Sequence, residues 1–352
     1  MIAPEGRALC FGHEAAEAVF ARAVASGRLP HGWLLHGPPG IGKATLAFRF
    51  ARLLLSGGDP MAREPHSNVF RMVAGHAHPD LRVLRRRAHP RTGRMQTEIT
   101  IDPVREVISA LHGTAARSAT RVLIVDPVDD LNANAANALL KLLEEPQAGV
   151  VMLLVCHRPG AVLATIRSRC VRLRLRPLEE TVCARLLMEL ADDVDPQAAA
   201  RLASLARGSP GRALRLHEAK FLERYARLLD ALTPNDEGLD DPAVAQAAFE
   251  VAGGMLADGG IELATELFDV LVRRVALSAS GRPEPAELVE GERALLGALG
   301  AGRPLDRWAS LWDKLRPLPA VVEAVNLDPR QTLLLAAQAI VADAPALLDL
   351  RG

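Results

Sequence analysis

The chain alternates short, continuous apolar runs with longer stretches whose apolar positions recur at helical spacing. Gly32 to His36, Arg121 to Asp126, Val150 to Val155 and Val171 to Leu175 are the runs, and Leu81 to Leu84 is a shorter one. A strand with one wet face alternates apolar with polar residues, so continuous runs imply burial on both faces, as in a parallel sheet. Between them, His13 to Ser26, Lys43 to Leu55, Pro103 to Leu111 and Asn132 to Glu145 carry the spacing of amphipathic helices. Gly27 stands where the first should stop and Pro146 where the last should. Strands alternating with helices of this length predict an α/β domain over residues 1–176, its parallel sheet covered on both sides.

Beyond Pro177 no strand pattern returns. Glu179 to Leu190, Pro196 to Ala206 and Gly211 to Leu232 are helical in spacing and predict a small helical domain over residues 177–234. The polar stretch Thr233-Pro234-Asn235-Asp236-Glu237-Gly238 marks a boundary. Residues 235–352 are again helical, interrupted at Gly253-Gly254, at Gly259-Gly260 and at Ser280-Gly281-Arg282-Pro283. The expected fold class is therefore α/β plus all-α. Residues 56–97 fit neither pattern: Gly, Pro and His are frequent there, and Arg82, Arg85, Arg86, Arg87, Arg91 and Arg94 make the stretch around the short strand locally basic.

Composition narrows the function. With 42 basic and 42 acidic residues the net charge is zero, so no whole-molecule field attracts nucleic acid and any such contact must be local. Aromatic residues are 3%, with Tyr225 the single tyrosine, which argues against a stacking platform for single strands. Cys10, Cys156, Cys170 and Cys183 form no Cys-x-x-Cys pair, so neither a zinc ribbon nor a disulfide framework is encoded and a reducing cytoplasm fits. No basic leader and no run long enough to span a membrane is present, so no membrane partner is expected.

Gly37-Pro38-Pro39-Gly40-Ile41-Gly42-Lys43-Ala44-Thr45 follows a predicted strand and opens a predicted helix, the setting of a phosphate loop. Gly37, Gly40 and Gly42 let the backbone curl its N–H groups toward phosphate oxygens, and Lys43 can reach the outer phosphates. Only Lys43, Lys141, Lys220 and Lys314 are lysines in this arginine-biased chain, which suggests that Lys43 meets a need for a compact ammonium. The position that should carry a magnesium-binding hydroxyl is Ala44. Thr45 is one residue late and rotated by about 100° around the helix. Asp126 ends the strand where a magnesium-organising carboxylate belongs, but Pro127 follows where a hydrolysing site carries an acceptor for the attacking water. Asp129 and Asp130 are expected to point elsewhere. The combination predicts ATP or ADP bound without hydrolysis, with magnesium poorly supported.

The phosphate loop with Leu46-Ala47 behind it, the block Asn137-Ala138-Leu139-Leu140-Lys141-Leu142-Leu143-Glu144-Glu145-Pro146, and Thr165-Ile166-Arg167-Ser168-Arg169-Cys170 together resemble the clamp-loader AAA+ family of bacterial DNA polymerase III. The resemblance implies an AAA+ P-loop domain, a helical lid domain and a helical C-terminal collar domain. It also implies that Arg169, in Ser168-Arg169-Cys170, is an arginine finger acting in trans on nucleotide held by a neighbouring subunit. Several positions depart from hydrolysing members. Cys156 or His157 falls at the sensor position, and Gly208-Ser209-Pro210-Gly211-Arg212-Ala213-Leu214 has Gly211 where those members carry a sensor arginine, with Arg212 one place late.

Residues 56–97 lack the four cysteines of the family's zinc module, so no zinc and no other metal site is expected; His66, His76, His78 and His89 read as loop histidines, although His78-Pro79-Asp80 is similar to the module's end. Trp308, Trp312 and Asn326-Leu327-Asp328-Pro329-Arg330 are similar to the collar domain, the two tryptophans reading as helix-packing core and Thr332 to Ala342 as a collar interface. The implied function is that of a nonhydrolysing clamp-loader subunit with gamma or tau and delta subunits as partners, acting on the sliding clamp and primed DNA through the complex. An ATP-hydrolysing, gamma-like motor or helicase loader is the alternative, disfavoured by Ala44 and Pro127. A small-molecule P-loop kinase would not need the long helical half.

Overall fold

The computed structural model describes residues 3–8, 10–59, 64–88, 93, 95–113, 116–233, 242–282, 286–301 and 303–349. His89, Arg91, Arg94, Pro283 and the boundary residues 234–238 lie outside them. The chain divides into two compact units, Met1–Glu179 with Arg207–Arg212, and Glu180–Ala206 with Ala213–Gly352.

The first unit runs α1 (Glu14–Ala25), β1 (Gly32–His36), α2 (Lys43–Leu55), α3 (Asn68–Ala74), β2 (Leu81–Leu84), α4 (Ile101–Leu111), β3 (Arg121–Val125), α5 (Ala133–Glu144), β4 (Val150–Cys156), α6 (Ala164–Ser168) and β5 (Val171–Arg174). The strands form one parallel sheet in the order β2-β3-β4-β1-β5. Successive side chains of a strand leave on opposite faces, and here each face has its own core. Trp33, Leu35, Ile124, Leu153 and Val155 pack with Phe20 of α1 and Leu46, Phe48 and Phe50 of α2. Leu34, Leu123, Val125, Met152 and Leu154 pack with Val104 and Val107 of α4 and Leu139, Leu142 and Leu143 of α5. Both faces being covered accounts for the unbroken apolar runs, at about 1.5–3 kcal/mol for each fully buried large aliphatic side chain. The expected α/β plus all-α class is thus seen directly as a covered parallel sheet followed by helices.

The second unit is helical: α7 (Glu180–Leu190), α8 (Pro196–Leu205), α9 (Pro210–Glu218, whose first turn lies in the first unit), α10 (Phe221–Ala231), α11 (Pro242–Gly253), α12 (Leu256–Ala279), α13 (Glu292–Ala301), α14 (Leu305–Leu315), α15 (Leu318–Val325) and α16 (Pro329–Val341). The single helical run expected over 211–232 is two helices, because Lys220 adopts a left-handed conformation at φ 52 and turns the chain. Gly260, at φ 67 and ψ −165, is non-helical and divides α12 into two helical segments at a kink. Glu292 is fully buried and satisfied by Arg274, by the Tyr225 hydroxyl at 2.8 Å and by the Leu288 amide. Trp308 is buried, and Trp312 donates its Nε1 to Asp269 at 2.9 Å. The apolar side of α16, including Leu333, Ala336 and Ile340, is buried within this unit. Among the described residues no helix is long and apolar enough to cross a membrane.

Candidate nucleotide site and an exposed arginine corner

In parallel sheets ligands sit beyond the carboxyl ends of the strands, and three such ends meet here: Gly37 follows β1, Asp126 follows β3 and His157 follows β4. The Gly37 amide donates to Cys156 O at 3.3 Å, joining the loop to the end of β4. Gly42 precedes α2 at φ 97, a left-handed conformation open to glycine. Gly40 is at φ 76, and a Cβ there would lie 2.4 Å from Ser209 Oγ. The reason for that crowding is a second contact: Ser209 Oγ donates to Pro39 O at 3.0 Å, and the Gly211 amide donates to Gly40 O at 2.9 Å. Gly211, expected only as a missing arginine, is where backbone closes on backbone.

Lys43 is buried, and its ammonium donates to Gly37 O at 2.7 Å and Pro38 O at 2.5 Å. Burial lowers its pKa to about 8 against the opposing pull of Asp129 and Asp126. The lysine therefore holds its own loop closed on itself. Ala44 packs against the α2 side of the sheet, and Thr45 is buried in the first turn of α2. The Ala44 methyl supplies no oxygen ligand.

Asp126 is half enclosed; its amide donates to Leu84 O at 2.9 Å, and its carboxylate Oδ2 faces Arg85 Nε at 3.5 Å. Burial raises its pKa, against Arg85 and Lys43. Asp129, expected to point away, instead lies close enough to act on the Lys43 charge, and it accepts from the His157 amide at 2.8 Å and the Arg158 amide at 3.1 Å; Asp130 pairs with Arg86 at 3.0 Å. Burial acts to raise Asp129, but these amides hold it below the ordinary carboxylate range. His157, with a buried Nδ1 that meets no partner among the described residues, is lowered to about 4 by burial and by the Lys43 charge. Cys156 is pushed up to about 12 by burial and Asp129.

Magnesium, which a hydrolysing site of this fold uses, demands oxygen ligands in near-octahedral array. The residues do not fit it: Ala44 offers none, Asp126 already faces a guanidinium, and Asp129 is taken up by the His157 and Arg158 amides. Among the described residues no group of three or more His, Cys, Asp or Glu side chains is arranged to hold a metal ion. Of the loop histidines, His76 bonds Glu5 at 2.7 Å and His78 Nδ1 accepts from the Asp80 amide at 3.2 Å. Asp80, whose burial alone would raise it, is lowered to about 2 by hydrogen bonds from Ala116, Arg117 and Ser118.

The described arginines of the basic stretch have partners within the chain: Arg82 donates to Pro79 O, Arg85 to Glu5, and Arg87 to Glu106, while Arg86 pairs with Asp130. Reading the sequence singled out the arginines as a cluster but not the role of Arg85 or of Glu5, because nothing local shows that β2 lies beside β3.

Arg169 is placed differently. It ends α6, its amide donating to Ile166 O at 3.2 Å, and its guanidinium reaches the surface, bonding Thr165 O at 3.1 Å and Glu144 at 2.7 Å. With its side chain 37% exposed it can exchange these contacts for another anion. The following Cys170 is pushed up to about 12 by burial, so the thiol anchors the corner and carries no charge.

Residues 12–179 match the family model described as DNA polymerase III, delta subunit. The DNA polymerase III subunit delta' of Pseudomonas aeruginosa is 35% identical over 204 residues, covering 57% of this chain and 60% of that protein. The delta' subunit of Escherichia coli is 33% identical over 219 residues, covering 60% and 63%. The chain thus spans about three fifths of the length of these relatives. A solved DNA polymerase III gamma subunit-related protein of Thermotoga maritima aligns over 93% of this chain and 99% of its own at 17% identity, with a TM-score of 0.41.

Proposed function

Starting from the match of residues 12–179 to the family model described as DNA polymerase III, delta subunit, we propose that this chain is a nonhydrolysing clamp-loader subunit of the DNA polymerase III holoenzyme. In this reading it acts in the cytoplasm beside gamma or tau and delta subunits and helps place the sliding clamp on primed DNA. It is not an ATPase by itself. The observation that carries the reading is the contrast between Lys43, enclosed and bonded to its own loop, and Arg169, at the surface with its guanidinium on an exposed partner. ATP or ADP entering the loop would find Gly37, Gly40 and Gly42 but neither a metal-binding hydroxyl at Ala44 nor a water-orienting group at Pro127, and is held without turnover. Arg169 instead extends its positive charge toward a γ-phosphate bound by the adjacent subunit, where a guanidinium stabilises the charge of phosphoryl transfer. The test is the ATPase of the assembled complex with clamp and primed DNA: Arg169→Ala lowers the stimulated rate while the complex still assembles. An unchanged rate would defeat the assignment, and brisk hydrolysis by the isolated chain would favour the motor alternative.

A further inference from the structure

The misfit between magnesium chemistry and Asp126 has a structural cause. Leu84 of β2 pairs with Val125 of β3 in parallel register, so the residues that follow them, Arg85 and Asp126, leave the sheet side by side. Whatever stands at position 85 therefore faces the carboxylate. Arg85 is no loosely tethered surface arginine. Its two terminal nitrogens donate to the two oxygens of Glu5 at 3.1 and 3.0 Å, the fork-on-fork arrangement that fixes a guanidinium plane. Glu5 is buried and held in turn: Arg52 donates to its carbonyl oxygen at 3.0 Å and His76 bonds its carboxylate. The Phe48 ring lies 5.3 Å beneath the guanidinium carbon. So pinned, Arg85 presents Nε to Asp126 at 3.5 Å, and that Nε is buried and has no hydrogen-bond partner among the described residues.

We infer that Arg85 is the resident counter-cation of Asp126, standing in the electrostatic place that a divalent metal takes in hydrolysing sites of this fold, so that the cation facing this carboxylate comes from the protein itself. A divalent ion on Asp126 would have to lie within a few ångströms of a fixed positive charge, and displacing that charge would break both bonds to Glu5 and leave a buried carboxylate short of a partner. The arrangement also binds the segment Pro4–Gly6 to the end of the sheet through Glu5, so the strand-end carboxylate serves as an anchor for the chain's own cation. This inference concerns the chain's own site and stands whether or not Arg169 acts on a neighbour.

Mn2+ titration of the full chain by electron paramagnetic resonance, with thermal melts in the presence and absence of MgCl2, tests it. The wild-type chain is expected to bind no Mn2+ at Asp126 and to melt at the same temperature in both buffers. Arg85→Ala is expected to bind Mn2+ at least roughly tenfold tighter than the weakest binding the titration detects and to acquire a magnesium-dependent rise in melting temperature, and Arg85→Ala with Asp126→Asn to lose both. Arg85→Gln, which keeps a donor for Glu5, replaces the alanine variant should that one not fold. Wild-type Mn2+ binding that Asp126→Asn abolishes would overturn the inference, as would Arg85 variants that fold and remain indifferent to both ions. Neither readout involves ATP hydrolysis, so its failure is distinguishable from failure of the arginine-finger assignment.

Discussion

Two cationic corners of one sheet domain use charge in opposite ways. At the phosphate loop, Lys43 is buried on the carbonyls of its own loop, and Arg85, though its side chain is 32% exposed, is held between two carboxylates. At the end of α6, Arg169 faces outward, with Glu144 and one carbonyl as its only partners among the described residues. A cation that is buried, or held by both oxygens of a buried carboxylate as Arg85 is, resists rearrangement, whereas a pair exposed on both sides contributes about 0–1 kcal/mol and is readily exchanged. The contrast teaches that a nucleotide-binding fold can retain its cations after losing the groups for hydrolysis, some as internal braces and one as a reagent for another molecule.

The comparison breaks most visibly at Arg169. Arg169→Ala is expected to slow hydrolysis at the site it serves by about 10³-fold, the lower end for an arginine finger, measured as single-turnover ATPase of the assembled complex. The outward corner stands on α5, so Leu139→Ala, at a fully buried position of that helix, should cost about 2–5 kcal/mol in denaturant unfolding; a much smaller loss would mean that α5 is not seated as described. Asn132→Ala removes the side chain that caps α5 by accepting from the Ala135 amide at 3.0 Å and should cost about 1 kcal/mol.

The inward corner is sharpened by pH. Because Lys43 titrates near 8 when folded and near 10.5 otherwise, the unfolded chain binds the extra proton between those values, and stability from this group rises as pH climbs from 8 to 10.5. Below 8 the gain is absent. Lys43→Met should flatten that part of the stability profile while leaving the ATPase of the complex near its wild-type value. Smallest of all, Glu144→Ala frees Arg169 from an exposed partner and should change stability by less than about 1 kcal/mol, read from the same denaturant titration.

Much of the fold was legible along the chain because its signals are local. β1, β2 and α2 have the limits that the apolar runs and helical spacing indicate. α3 and α6 escaped notice because seven and five residues are too few to establish a period. α4 begins at Ile101, ahead of the expected Pro103, since proline is tolerated in a first turn, where amides lack helical partners anyway. The phosphate-loop glycines were equally visible. The direction of Lys43, the closure of Ser209 and Gly211 over Pro39 and Gly40, and the meeting of Arg85 with Asp126 were not, because each depends on which distant segments become neighbours. Ala44 and Pro127 announced what the site lacks, but no local pattern announced what fills its place.

The segment Arg207–Arg212 returns to the sheet domain after Glu180–Ala206 has left it. A fragment cut at Glu179 would keep every strand yet lose the donors that Ser209 and Gly211 bring to Pro39 and Gly40, and the Gly208 carbonyl that accepts from the Leu178 amide at 2.9 Å. Limited proteolysis between β5 and α7 should consequently release no durable amino-terminal piece, and the smallest self-sufficient portion of the sheet domain is discontinuous in the gene.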